Sequence, residues 1–429
     1  MNATEKLYWS DAHATSFETR GVALGVHSGR PSLILRETLF YPEGGGQLGD
    51  LGTLTLGTDV VRIADTQVED GTIHHILDAA PPPALAELLA RGPAAAADVT
   101  VKGAVDEVRR RDHMVQHTAQ HALSRALASA ARADTVSARL GLASCTIDVG
   151  RPGLADADLH RAEDLVNAVV MSDVPVVTSF PSAEELSKLD LRKQPNAVKS
   201  AAGVRIVSIE GFDLTPCGGT HCTRTGQIGQ VRIVATEKYK GMLRITFHAG
   251  SRALADARTR HDVLAALAAD LTCGPQDILT AVAKLRGEAK GLRDKLDGAR
   301  SELAELVARG LRDALPTSPG PHVVAVARPL DDLAGLRALG VELTKDPRVV
   351  ALVAGSASGA ASGDQSSGEV VLVVQRGAET KLDCGAFVQA EAKVRGGRGG
   401  GRPERAEGRF PRDTSLEALA GAARTALGA

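Results

Sequence analysis

The sequence predicts an α+β protein with an N-terminal β-barrel joined to an α+β core, a heptad-patterned coiled-coil spacer and a C-terminal α/β domain. Residues 1–100 alternate short β-like runs with Gly, Pro and Asp turns, the spacing of a small barrel or sandwich. Residues 101–255 mix helical and strand-like periodicity. Residues 275–312 repeat apolar side chains in heptads, and residues 320–429 alternate strand-like and helical runs.

The composition of the 429-residue chain excludes several classes of protein. Its formal net charge of -2 argues against coating nucleic acid by bulk electrostatics but permits local basic patches. Aromatic residues make up only 3%, so any nucleic-acid contact should go mainly to the backbone. Five scattered cysteines do not suit a disulfide framework. No signal-like leader or run of about 18 apolar residues occurs, so we expect a cytoplasmic protein without a membrane segment.

The mixed part of the chain begins with a predicted helix. From Asp106, the run VRRRDHMVQHTAQHALSRALASA spaces its apolar residues by three and four, whereas the preceding PPPALAELLARGPAAAADV is a linker-like turn with a short helix. A strand at SCTIDVG, a helix from Ala155 to Met171 and the strand-rich runs VRIVSIEGF, GQIGQVRIVATEKY and MLRITFHAG complete the α+β domain.

A heptad seam follows. Charged residues such as Lys284, Glu288 and Lys295 lie between the seam positions, so the opposite face is solvated. A long spacer or helical hairpin and a homodimeric coiled coil both fit this pattern. The seam is formed by Ile278, Val282, Leu285, Ala289, Leu292, Leu296, Ala299, Leu303 and Leu306.

The C-terminal part reads as a compact α/β pattern. The strands HVVAVAR, VVALVAG and EVVLVVQR alternate with helical runs, and residues 356–368 form a low-complexity loop that we expect to be mobile. The glycine-rich run GGRGGGRPERAEG precedes a last helix near residues 415–427.

Two short motifs have the spacing of metal ligands. His117 and His121 are four residues apart on a predicted helix, so both imidazoles can reach one ion. Cys217 and His221 flank Gly218 and Gly219, which allow a sharp loop. The rival ligands are His113 and Cys222. Alternatively, His117 and His121 are packing or surface histidines without a metal. For Cys145 and Cys384 we expect ordinary burial in the core.

A third motif is the glycine-rich run YPEGGGQLGD at residues 41–50. Consecutive glycines let the backbone approach a ligand closely, and Gln47 and Asp50 can supply hydrogen bonds. A simple β-turn cluster is the alternative interpretation.

Together these motifs resemble a known family. FYPEGGGQLGDLG, QHTAQHALS, SCTID and CGGTHCTRTG, in this order, are similar to the editing module of alanyl-tRNA synthetase and its free-standing relatives, the AlaX proteins, in their long form. GGRGGGRPERAEG resembles the signature of the domain that ends these synthetases and accompanies DHH phosphoesterases. The resemblance spans nearly the whole chain.

The resemblance implies a fold and a set of site residues. The fold is an N-terminal barrel, an α+β editing core, a coiled-coil spacer and a DHH-associated-type C-terminal domain. Zinc would be the cofactor, and Gly45, Gly46 and Gln47 would line the pocket for the amino acid. Thr38 is similar in placement to a family threonine near that pocket. The implied zinc ligands are His117, His121, Cys217 and His221.

Two positions depart from the family pattern. Leu48 stands where the family often has a proline, and Arg139 lies in SARLG where a histidine often precedes the SCTID-like strand. Neither is a metal ligand, but both leave the preferred amino acid open. Nothing resembles a class II aminoacylation core and no Asp-His-His triplet occurs, so we expect neither charging nor phosphoesterase activity.

The implied function is trans-editing, the hydrolysis of seryl-tRNA(Ala), with glycyl-tRNA(Ala) as the second candidate. Gln47, Asp50 and His113 are the candidate general bases, and zinc is either catalytic or structural. The alternatives are a zinc hydrolase of another acyl ester, a tRNA-binding module without hydrolysis, and threonyl-tRNA editing.

The expected partner is tRNA(Ala), bound by a basic stretch near the C-terminus. Glycines among the basic side chains would let backbone N–H groups meet phosphates. A flexible basic loop without a ligand is the alternative. The stretch contains Lys393, Arg395, Arg398, Gly399, Gly400, Gly401, Arg402, Arg405, Arg409 and Arg412.

Overall fold

A computed structural model describes residues 4–90, 96–194, 203–329, 331–356 and 369–428. The low-complexity loop predicted at residues 356–368 lies outside the described residues except for Ser356, as do residues 91–95 of the linker-like segment. The chain divides into two units, Met1–Ala266 and Leu267–Ala429. The predicted domain boundaries stay a prediction.

The described helices are bounded as follows: Pro83–Ala90 (α1), Glu107–Ala131 (α2), Asp156–Met171 (α3), Ala183–Ser187 (α4), Ser251–Asp270 (α5), Ile278–Asp313 (α6), Leu333–Leu343 (α7), Cys384–Arg395 (α8) and Leu416–Leu427 (α9), with 3-10 turns at Leu7–Trp9, Thr225–Ile228 and Pro275–Asp277.

The strands are Glu5–Lys6 (β1), Ser16–Arg20 (β2), Val22–His27 (β3), Arg30–Leu35 (β4), Glu37–Thr38 (β5), Gly52–Leu56 (β6), Asp59–Glu69 (β7), Thr72–Leu77 (β8), Thr100–Val105 (β9), Thr135–Leu140 (β10), Cys145–Val149 (β11), Val176–Ser179 (β12), Ile206–Ile209 (β13), Asp213–Pro216 (β14), Val231–Tyr239 (β15), Met242–Ala249 (β16), His322–Ala327 (β17), Val349–Ser356 (β18), Val370–Arg376 (β19), Arg398–Gly401 (β20) and Arg405–Phe410 (β21).

The N-terminal part folds as one antiparallel sheet of seven strands in the order β2-β9-β6-β7-β8-β4-β3. Among the described residues no ladder joins the edge strands β2 and β3, so the sheet curls as a half-barrel where the sequence predicts a small β-barrel or sandwich. Gly21, with φ +86, turns the chain from one edge strand into the other. The inner face packs an apolar core that includes Leu33, Phe40, Leu54 and Val101.

The second part of the first unit is built on helix α2. Asp106 caps this helix by accepting a hydrogen bond from the backbone N–H of Arg109 (3.0 Å), and Arg132 ends it in the left-handed conformation. Its apolar face packs with α3 and with the four-stranded antiparallel sheet β10-β11-β16-β15. A three-stranded sheet, β12-β13-β14, carries the chain to residue 217. The helix predicted from Asp106 onward therefore anchors this part of the fold.

Helix α6 has 36 residues and is about 54 Å long. Its last turns bury Ala304 and Ala308 in the core of the C-terminal sheet. Several seam leucines upstream are exposed, including Leu285, Leu292 and Leu296. The helix is present, whereas a coiled coil stays a prediction.

The C-terminal part has a five-stranded mixed sheet in the order β17-β18-β19-β21-β20. Strands β17 and β18 are parallel and the other neighbours are antiparallel. Strand β18 is an apolar run whose residues Val349–Gly355 are all buried, because both faces of the sheet are covered. Within the described ranges, no helix is both long and apolar enough to cross a membrane.

Candidate metal centre

Four side chains from two distant segments meet in a cluster. His117 and His121 lie one turn apart on α2, and Cys217 and His221 lie on the loop that follows β14. The potential ligand atoms of these four residues all lie within 4.8 Å of one another. The three histidines are buried and Cys217 is partly buried. We call this group the metal cluster, and residues 217–221 the CGGTH loop.

The distances within the metal cluster suit a tetrahedral ion. Cys217 Sγ lies 3.4 Å from His117 Nε2 and 3.3 Å from His221 Nε2. Zinc bonds of about 2.3 Å to sulfur and about 2.0 Å to nitrogen, set at a tetrahedral angle, place such atoms about 3.5 Å apart. The imidazole ring centroids are 4.4 to 5.1 Å apart. Three imidazoles and one thiolate are a donor set that zinc prefers, so the residues fit this metal.

Each imidazole also has an oxygen beside its Nδ1 atom. Gln47 Oε1 lies 2.7 Å from His117 Nδ1, and Thr118 Oγ1 lies 3.3 Å from His221 Nδ1. Asp213 Oδ2 lies 3.7 Å from His121 Nδ1. The first two oxygens are within hydrogen-bonding distance and can fix the orientation of their imidazoles, whereas Asp213 accepts two hydrogen bonds from Arg192 and makes none to His121. The sequence motifs alone gave no indication of Thr118 or Asp213.

Burial sets the protonation of these ligands. It lowers the pKa of His121 to about 3 and lowers the pKa values of His117 and His221 well below their usual range. Burial likewise raises the pKa of the Cys217 thiol. Neutral imidazoles are the form that binds a metal, and a cation would compensate the cost of a buried thiolate. The cluster is therefore poised to release a proton when it binds zinc.

Gly219 is needed for steric reasons. A Cβ atom at this position would lie 2.2 Å from His117 Cε1 and 2.4 Å from His117 Nδ1. At Gly218 nothing lies within 4 Å of the equivalent point. The carbonyl oxygen of Gly218 instead accepts a hydrogen bond from the indole Nε1 of Trp9 (3.0 Å), and Arg205 Nη1 donates to the carbonyl of Gly219 (2.8 Å). Backbone contacts thus fix the CGGTH loop.

The glycine-rich run at residues 41–50, which we call the glycine loop, reaches the metal cluster through Gln47. This side chain is fully buried, and its Nε2 donates to Thr220 Oγ1 (2.9 Å) while its Oε1 accepts from Thr220 N (3.2 Å). Gly44 and Gln47 exchange two backbone hydrogen bonds of 3.0 Å, which close the turn. All three sequence motifs therefore meet in one place.

Gly45 and Gly46 form the tip of this turn, with φ values of +61 and +88. A Cβ at Gly46 would lie 2.5 Å from the carbonyl oxygen of Ala138, and Leu140 N donates to Gly46 O (2.8 Å). Gly45 is exposed, with nothing within 4 Å of its Cβ position. The glycine loop is thus a turn packed on strand β10, with one open position at its tip.

Asp50 and Thr38 lie in the interior. Asp50 forms a buried ion pair with Arg110, whose Nε is 3.1 Å from Asp50 Oδ2, and accepts from Tyr41 N (2.7 Å). Thr38 Oγ1 lies 2.8 Å from His75 Nε2 and accepts from Phe40 N (3.0 Å). Both side chains hold the protein together in this geometry, and a direct role in chemistry stays a prediction.

The rival residues lie outside the metal cluster. His113 is buried with no hydrogen-bond partner at either ring nitrogen among the described residues, and burial lowers its pKa to about 4. Cys222 is buried, and its N–H donates to Thr118 Oγ1 (3.0 Å). The three candidate general bases, Gln47, Asp50 and His113, are each at most 1% exposed.

The basic residues near the C-terminus surround the hairpin β20–β21. Arg395 pairs with Glu391 (2.8 Å) and Arg398 with Glu369 (3.3 Å). Within the described part of the chain, Lys393, Arg402 and Arg405 form no ion pair and are exposed. A Cβ at Gly399 or Gly401 would approach atoms of β21 to about 2.5 Å, so these glycines are explained by close strand packing. Binding of phosphate by this region stays a prediction.

Comparison with known proteins gives family matches in two places. The model of the threonyl and alanyl tRNA synthetase second additional domain matches residues 204–246, which include the CGGTH loop. The model of tRNA synthetases class II (A) matches residues 14–82, which fold as strands of the N-terminal sheet. This match lies on the half-barrel, and the expectation that the chain does not charge tRNA stays a prediction.

Relatives cover nearly the whole chain. The alanine–tRNA ligase of Methanothrix thermoacetophila is 30% identical over 427 residues, 97% of this chain and 43% of the ligase. That of Halorubrum lacusprofundi is 32% identical over 422 residues, 96% of this chain and 43% of the ligase. The crystal structure of the C-Ala domain from Aquifex aeolicus alanyl-tRNA synthetase matches 27% of this chain and 100% of that domain at 16% identity, but its TM-score of 0.22 is too low to support an inference.

The chain thus combines an antiparallel half-barrel with a segment that matches the second additional domain of threonyl and alanyl tRNA synthetases. These two features define its class. Over nearly its whole length the chain is similar to part of the alanyl-tRNA synthetases, which confirms the resemblance found in the sequence. The chain spans 43% of the length of these curated ligases.

Proposed function

We propose that this protein is a zinc-binding aminoacyl-tRNA deacylase that removes a wrong amino acid, serine first and glycine second, from tRNA(Ala). The observation that supports this most strongly is the meeting of three motifs at the metal cluster, with Gln47 between His117 and Thr220. The family relationship supports tRNA(Ala) as the substrate carrier. Such a protein would work in the cytoplasm.

His117, His121, Cys217 and His221 would hold the zinc ion, which, when bound, supplies a tetrahedral clamp that fixes these residues. Four protein donors favour this structural role over a catalytic one. Gln47 contacts both His117 and Thr220 and so fixes their relative positions. The backbone of Gly45 and Gly46 would contact the substrate. The chain's own part in the reaction is to position the ester beside water.

Selection of serine over alanine would follow from fixed polar groups. A site built to hydrogen-bond the serine hydroxyl leaves its own groups unpaired when alanine enters, and this costs more than a missing methyl group would. Correctly charged alanine tRNA would therefore be spared.

One observation favours a second candidate function. The three candidate general bases, Gln47, Asp50 and His113, are all buried, as expected of a module that binds tRNA without hydrolysing its ester. In the deacylase, water or a substrate hydroxyl would have to supply the proton transfer that these side chains do not reach.

The deciding experiment compares release of serine, glycine and alanine from tRNA(Ala) by purified protein. A Cys217→Ala variant tests the metal cluster, and a Cys384→Ala variant, which changes a cysteine buried in the C-terminal core, is the matched control. We expect release of serine or glycine, sparing of alanine, and loss of activity only in the first variant. Retention of tRNA without release of any amino acid would favour the binding module. Release from seryl-tRNA(Ser) at the same rate would favour a less specific ester hydrolase.

A further inference from the structure

Two aromatic side chains, Trp9 and Phe180, contact each other in a tilted arrangement beside the CGGTH loop. The ring centroids of Trp9 and Phe180 are 5.6 Å apart, with an angle of 49° between the ring planes. The Trp9 indole also donates to the carbonyl of Gly218, which follows Cys217 directly. The pair is therefore fixed to the loop that carries two of the four candidate ligands.

Phe180 is unusual in its exposure. All seven phenylalanines of the chain fall within the described residues, and Phe180 alone is exposed, with 56% of its surface accessible. It lies directly after strand β12, and its ring contacts that of Trp9. An exposed aromatic ring offers a planar face on which a nucleobase can stack.

The open surface of the pair belongs to Phe180. The ammonium group of Lys6 lies over the Trp9 ring, 4.3 Å from its centroid, and Tyr8 contacts the indole edge-on at 6.3 Å. The indole is therefore partly buried by its own neighbours. A flat ligand that approaches from solvent would meet Phe180, the more exposed of the two rings.

We propose that Phe180, supported by Trp9, is the stacking platform for the terminal nucleobase of the tRNA, and this rests on the proposed function. The ester to be hydrolysed and this nucleobase are attached to the same ribose, so the base must come to rest next to the site. Every base has a planar π-face, and stacking on an aromatic side chain needs no sequence-specific hydrogen bond. A single platform also agrees with a chain so poor in aromatic residues.

The first test uses four variants and a seryl-RNA minihelix that ends in CCA. Stacking predicts that Phe180→Ala and Phe180→Leu raise KM about tenfold, the scale of one base stack, with little change in kcat. Phe180→Tyr restores KM because it keeps the ring. Val177→Ala, at an equally exposed position on β12, is the control and leaves both constants unchanged. If Phe180→Leu works as well as Phe180→Tyr, the aromatic ring is not what matters and the proposal is wrong.

The second test needs no hydrolysis. Trp9 is the only tryptophan, so its fluorescence reports on this position alone. We expect an uncharged RNA stem that ends in CCA to change the Trp9 emission, and the same stem without its last nucleotide to leave it unchanged. Equal responses to both stems would overturn the platform. A response without deacylation would leave the platform standing and defeat the proposed hydrolysis, so the two failures are distinguishable.

Discussion

At the scale of single residues, the metal cluster depends on a contact that leaves no room for a methyl group. Gly219 adjoins the ring of His117 at the Nδ1 atom, which Gln47 Oε1 also contacts (2.7 Å). Because neither Gly218 nor Gly219 has a positive φ, alanine is conformationally allowed at both positions. The two glycines therefore differ only in what surrounds them, and this difference can be measured.

We expect Gly219→Ala to weaken zinc affinity by about tenfold or more, since the new Cβ displaces the His117 ring from the position that Gln47 supports. Gly218→Ala is the matched control and should bind zinc like the unmodified protein. Competition with a chromophoric chelator measures both affinities. Equal zinc affinity in the two variants would contradict the geometry described for this loop.

A second residue-scale prediction concerns pH. His75 is fully buried in the N-terminal sheet, and burial lowers its pKa to about 4 from 6.5. The unfolded chain therefore takes up this proton at a higher pH than the folded one, so stability is complete above about pH 6.5 and falls as pH drops toward 4. The pKa difference corresponds to about 3 kcal/mol of free energy of unfolding.

The measurement is urea unfolding of the unmodified protein and a His75→Gln variant between pH 7 and pH 4. The variant lacks this proton-binding group, so it should lose about 3 kcal/mol less across that range. Parallel pH profiles for the two proteins would show that the buried imidazole is not the source of acid sensitivity.

At the scale of elements, the sequence predicted helix α2 and its histidine pair His117 and His121, because periodicity and i, i+4 spacing are local properties. It also predicted the CGGTH loop as a ligand loop. It could not predict the contacts of Gln47 with His117 and Thr220. These partners lie 70 and 173 residues after Gln47 in the chain. Nor could it distinguish the open half-barrel from a closed one, because closure depends on pairing between edge strands.

Helix α6 carries the third prediction. Leu292 and Leu296 of the heptad seam are 67% and 50% exposed, and a row of exposed leucines is stabilised by a second identical row. We expect sedimentation to show a homodimer that Leu292→Glu and Leu296→Glu convert to monomers. Lys295→Glu, off the seam, should stay dimeric. An unmodified protein that sediments as a monomer at micromolar concentration would leave the spacer as the interpretation of this helix.

At the scale of the whole molecule, the charge is nearly balanced, so affinity for tRNA must come from local groups. Lys393, Arg402 and Arg405 are exposed and have no ion pair within the described residues, which leaves their charge available. We expect a triple variant with Gln at these three positions to bind tRNA more weakly, whatever the RNA sequence. The slope of log K for tRNA binding against the logarithm of the salt concentration should become shallower by about one for each phosphate that the protein no longer neutralises.

Filter binding of tRNA at several salt concentrations is the measurement. Arg309→Gln, which removes a charge from the exposed face of α6, is the control and should leave the salt slope unchanged. A triple variant with an unaltered slope would place the phosphate-binding groups elsewhere on the protein.

The buried ion pair of Asp50 with Arg110 restricts where recombination between related genes can yield a folded protein. Together with the bonds from Gln47 to His117 and Thr220, it ties the glycine loop to two later segments of the chain. Recombination between relatives with a crossover between residues 50 and 110 would separate both sets of partners at once. The half-barrel and the domain that follows it should therefore be exchanged between genes as one piece, and chimaeras joined between residues 50 and 110 should fold only when both parents supply matching partners.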